Sequence, residues 1–64
     1  MTPTVRYDHQ SDAANIRFSP EAVIESEEVS DGIVLDYDAA GRIAGMEVME
    51  ASRHLSSSML AEAA

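Results

Sequence analysis

The chain has 64 residues, with twelve Asp or Glu against four Arg, no Lys, and a net charge of −8. That length holds one small domain at most, and a domain of this size buries only about 60% of its unfolded surface. The absence of cysteine removes disulfides and thiolate metal sites, the acidic balance disfavours nucleic acid, and no apolar run nears the ~18 residues of a membrane span.

The means of support left to so small a chain is a second subunit, so a homo-oligomer, first of all a dimer, is expected. The charge also suits a basic protein partner. The start of the chain lacks a basic region followed by an apolar stretch, and the cytoplasm is the expected compartment.

Thr4 to Asp8 reads as the first strand, Val5 and Tyr7 alternating with polar neighbours after a Pro that suits a strand start. His9-Gln10-Ser11-Asp12 is a polar turn. Ala14, Ile16 and Phe18 at period two make a second strand, closed by Ser19-Pro20. Val23 to Val29 is a third. Asp31-Gly32 is a strong hairpin signal between it and the fourth, Ile33 to Asp38. Asp38 to Arg42 turns again, with Gly41 suited to a left-handed position, and the fifth strand is Arg42 to Met49. Ala51, Leu55, Met59 and Ala63 then recur every four residues, a helical spacing weakened by Ser56-Ser57-Ser58. One turn near Ala51 to Leu55 is expected, followed by continuation or a second turn capped by Ser58.

The expected fold is α+β and mostly β. It is an antiparallel meander of about five short strands, about 4–49, with a C-terminal helix, about 50–62, in a single domain that dimerises.

A two-residue loop at Asp31-Gly32 would pair Val29 with Val34, Glu27 with Asp36 and Glu25 with Asp38. The next turn would pair Asp36 with Ala44 and Val34 with Met46. One face then carries Leu35, Tyr37 and Ile43 as the core, with Gly45 making room beside Leu35. The other carries an acidic surface of Glu25, Glu27, Asp36 and Asp38, and an apolar patch of Val29, Val34, Met46 and Val48. That patch is the candidate dimer or partner surface.

Catalytic constellations are missing. His9 and His54 have no ligand spacing. There is no Gly-x-Ser-x-Gly and no Gly-rich phosphate loop among the three glycines. The order Asp-x-Asp-x-Asp-Gly of a calcium loop is also absent. No catalytic residue, metal ligand or cofactor is assigned. The enzymatic alternative is a divalent-cation-binding enzyme that uses the four acids of the acidic surface.

Tyr7-Asp8, Asp12 to Phe18, Glu27-Glu28-Val29, Gly32 to Asp38, Gly41-Arg42-Ile43, Gly45 to Val48 and Ala51-Ser52 occur in that order. Together they resemble the small bacterial and archaeal proteins grouped as domain of unknown function 2283. Asn15 departs from the bulky or aromatic residue more usual there, which bears on packing. The resemblance implies a β-rich fold with a C-terminal helix, and no catalytic residues to carry over. The expected function is a non-enzymatic, self-associating protein-interaction domain. An antitoxin-like partner of a basic, toxin-like protein is the alternative of the same class.

Overall fold

A computed structural model describes residues 3–63. Five strands form one antiparallel sheet: β1 (Thr4–Asp8), β2 (Ala13–Arg17), β3 (Glu25–Ser30), β4 (Ile33–Tyr37) and β5 (Ile43–Val48). Two short helices follow, α1 (Ala51–His54) and α2 (Ser57–Ala63). The mostly-β α+β architecture matches the expectation from sequence. The strand order is β1-β2-β5-β4-β3, so a straight meander is not what forms. A β1–β2 hairpin lies beside a three-stranded meander of β3, β4 and β5, and the chain from β2 crosses past β5 and β4 to reach the far edge.

The three predicted hairpin turns form. Gly32 takes φ +79°, and Ser30 pairs with Ile33 across it. Gly41 also takes φ +79°. Asp38 organises that second turn, its Oδ1 accepting from the amides of Ala40 and Arg42, each at 2.9 Å. Asp8 does the same for the turn between β1 and β2 through Gln10 N and Ser11 Oγ. Short polar side chains that bond their own turn explain why Tyr-Asp precedes both turns.

The predicted registers fail, because two β-bulges intervene. Val29 is an extra residue in β3: Glu28 pairs with Val34, Glu27 with Leu35 and Ser26 with Asp36. Ala44 is an extra residue in β5: Tyr37 pairs with Ile43, but Asp36 pairs with Gly45 and Leu35 with Met46. A bulge shifts strand phase by one, which moves every later side chain to the other face. Met46 and Val48 therefore share a face with Leu35, and Gly45 lies opposite it.

On the helix side, Tyr7, Ala14, Val48 and Ile33 run across the strands in one row. Val5, Ile16, Met46 and Leu35 form the next. Val48 (1% exposed) packs with Ala14, Ala51 and Leu60, and small side chains at Ala14 and Ala51 let α1 settle close to the sheet. Leu35, Tyr37 and Ile43 lie on the same face but outside that cluster.

The helical tail breaks at Leu55 and Ser56 before α2. Ser56 caps α2, its Oγ accepting from Met59 N at 3.3 Å, rather than the expected Ser58. Glu50, before α1, has φ +49° and offers no side-chain cap. Asp12 does that work from the β1–β2 turn. Its carbonyl accepts from Ala51 N at 2.8 Å. Its carboxylate accepts from Ser52 N at 3.1 Å, Ser52 Oγ at 2.7 Å and Tyr7 Oη at 2.6 Å. The Tyr7 hydroxyl, and then that of Ser52, hold the Asp12 carboxyl below its usual range, while Asp12 pushes the Tyr7 phenol up.

A depressed carboxyl contributes stability that is present above its unfolded value of about 3.8 and lost as pH falls through the folded one. Asp12→Ala is therefore expected to lower the Tm by several degrees near neutrality and to flatten the acid limb of the stability curve. Thermal melts from neutral to strongly acidic pH check this. Asp12→Asn is expected to retain more, because Asn tolerates the left-handed φ of +53° found at residue 12.

Candidate functional site

The face opposite the helices is polar at its centre. Arg17 of β2, Gly45 of β5, Asp36 of β4 and Ser26 of β3 lie in one cross-strand row. Asn15, Glu47, Val34 and Glu28 make the neighbouring row. Gly45 is a gap in this surface. A Cβ built there would lie 3.3 Å from Asp36 Oδ2 and 3.6 Å from Arg17 Cδ. The acid and the arginine therefore lean toward each other over the missing side chain.

Asp36 is only 5% exposed, the one buried charged residue among the described residues. Ser26 Oγ donates to its Oδ1 at 2.7 Å. Glu47, one row along, lies beside Asp36, and its Oε2 is buried with no hydrogen-bond partner. An oxygen buried without a donor penalises the charged form of Glu47. Loss of hydration, and next the neighbouring Asp36, push Glu47 up to about 7, against a pull downward from Arg17. Glu47 in this setting takes up or gives off a proton near neutrality. A shallow groove of about 310 Å³ borders Glu47, walled in part by Arg6, Asp8, Asn15 and Met49.

The acids proposed from sequence as one surface are divided by the bulges. Glu25 and Glu27 face the helix side, in register with Tyr37 and Leu35. Tyr37 Oη donates to Glu27 at 3.0 Å, which pushes the phenol up. Asp36 lies on the opposite face, and Asp38 is occupied within its turn. Among the described residues, no group of three or more His, Cys, Asp or Glu is placed to hold a metal ion.

The proposed apolar patch is divided too. Val48 is core beneath the helices, Met46 packs against that core, Val34 faces the other side, and Val29 is the exposed bulge residue. The exposed apolar side chains are instead Phe18, Val23, Ile24, Val29, Ile43 and Met49. Ile43 is 49% exposed and stands in register with Tyr37, beside Leu35 on the half of the helix-side face that the helices leave open.

Sequence reasoning missed the Asp36–Glu47 pair. Its one available signal was Gly45, since a glycine inside a strand marks close approach of another group. No helix among the described residues is long and apolar enough to cross a membrane. No curated protein and no solved structure shows significant similarity to the chain. The profile of one family, described as protein of unknown function (DUF2283), matches residues 4–52. That span runs from the first residue of β1 to Ser52, whose hydroxyl holds Asp12, and so takes in the whole sheet and its bracket to α1; the chain belongs to this family.

Proposed function

We propose that the chain is a non-enzymatic, self-associating protein-interaction domain of the cytoplasm. The observation that carries this is the uncovered half of the helix-side face, where Leu35, Tyr37 and Ile43 stand outside the core. The helices amount to eleven residues in two short pieces, too little to cover five strands. A second copy of the chain supplies the same apolar area in return, and a domain this small gains most from a second subunit.

Sedimentation tests the reading. The wild type is expected to form dimers in the micromolar range, and Ile43→Glu to be monomeric with an unchanged fold. Two chains of charge −8 repel each other, so dimerisation is expected to strengthen as salt rises. A wild type that stays monomeric at high micromolar concentration overturns it.

The second reading is a basic protein partner, antitoxin-like in kind. The edge strand β3 favours it, since all six of its residues are exposed and three are Glu. Salt separates the two readings, because binding to a basic partner weakens as salt rises.

A further inference from the structure

Strand β3 is the open edge of the sheet. It is the outer strand on its side, and all six of its residues are exposed. An outer strand presents a row of free backbone N–H and C=O groups. At the other edge α2 packs against β1. A free edge can receive a further strand, and its side chains decide which strand it admits.

Glu25 and Glu27 lie on the helix side of β3, and Ser26 and Glu28 on the other. Opposite them on β4 stand Tyr37, Leu35, Asp36 and Val34, none of them a cation. Glu27 and Glu28 accept from neutral donors, Tyr37 Oη and Gly32 N. Among the described residues the one ion pair is Arg53 with Glu50. The negative charge of β3 is therefore uncompensated within the chain. That charge also turns away a second copy of the same edge. In any antiparallel register centred between Ser26 and Glu28, two β3 strands would set glutamate opposite glutamate, which is destabilising. The extra residue at Val29 ends the regular pairing and leaves Glu25 to Glu28 as the straight stretch.

We propose that β3 takes up a basic, extended segment of a partner protein as an added antiparallel strand. This rests on the reading of a basic partner and names what that partner brings. Backbone hydrogen bonds along Glu25 to Glu28 hold the segment, and cations opposite the three glutamates select it. Taken in the partner's own direction, successive residues face Glu28, Glu27, Ser26 and Glu25. The order that fits is cation, cation, small polar residue, cation. An acidic segment, or a second β3, meets repulsion at the same positions.

The probe is the end-capped peptide Thr-Val-Lys-Lys-Thr-Lys-Val-Thr, titrated into the full chain at low salt and followed by amide NMR. Shifts are expected at Glu25 to Glu28, with slower amide exchange along that stretch. Two analogues carry N-methyl groups on alternate residues, in opposite phase. The one whose methyls face β3 is expected to bind about tenfold more weakly than the other, because it loses ladder hydrogen bonds. Glu25→Lys is expected to weaken the parent peptide about fivefold, and a peptide with Glu in place of its last Lys is expected to restore binding to that variant. Equal binding of the two analogues, or shifts confined to other parts of the chain, overturns strand addition and leaves a basic partner held by charge alone. Absence of binding by every one of these peptides overturns strand addition and the basic-partner reading together.

Discussion

Glu47→Gln is expected to raise the Tm at about pH 8 by about 5–10 °C, and to leave it nearly unchanged at about pH 4. The sign follows from the direction of the shift. The folded state holds the Glu47 proton up to about 7, against an ordinary value of 4.5. The folded chain thus binds more protons than the unfolded one between those values, and stability falls as pH rises through that window. The contribution is fully present below about 4.5 and gone above about 7. At about 1.4 kcal/mol per pH unit the shift sets a ceiling of about 3 kcal/mol. Partial exposure of Glu47 and its attraction to Arg17 bring this to about 1–2 kcal/mol. Glutamine keeps the shape, removes the charge and supplies the donor. Thermal melts across that range read the effect, and a variant that melts below the wild type at alkaline pH contradicts the raised Glu47 carboxyl.

Gly45→Ala is expected to cost about 2–3 kcal/mol, a large share of the few kcal/mol available to a domain of this size. The new Cβ would stand 2.9 Å from Ile16 O, a backbone atom of the adjacent strand that cannot yield without bending β2. It would also push at Asp36 Oδ2, 3.3 Å away. Gly41→Ala is the comparison. Its φ of +79° strains any side chain, but nothing lies within 4 Å, so about 1–2 kcal/mol is expected. Urea unfolding with unchanged slope ranks the two. An order with Gly41→Ala the more damaging would mean that the Arg17–Asp36 approach does not need the gap.

The local signals in the chain were readable. Period-two apolar residues placed β1 and β2, Asp31-Gly32 and Asp38 to Gly41 placed the two later turns, and the change of period after Glu50 placed the helices. The bulges were not readable. Ala44 and Val29 are ordinary strand residues, and nothing in their side chains says that the partner strand will skip them. The whole assignment of faces turned on those two positions. Val34, Met46 and Val48 were expected on one patch and lie on two faces, and Glu27 and Asp36 were separated in the same way. The pairing of β2 with β5 was hidden for a different reason. Those strands are more than twenty residues apart, and no turn connects them. The Asp36–Glu47 pair and the Asp12 bracket both depend on such distant registers. Gly45 carried the one local hint, and its role as a gap for neighbouring side chains was recognised on the wrong face.

The uncovered half-face is tested most directly by amide NMR of the wild type from micromolar to millimolar concentration. Leu35, Tyr37 and Ile43 are expected to shift together as concentration rises, while tumbling slows to that of a particle twice the 6.9 kDa chain. Unchanged shifts at those residues with monomer tumbling throughout, or shifts confined to the opposite face around Val34 and Glu47, would contradict self-association through this surface.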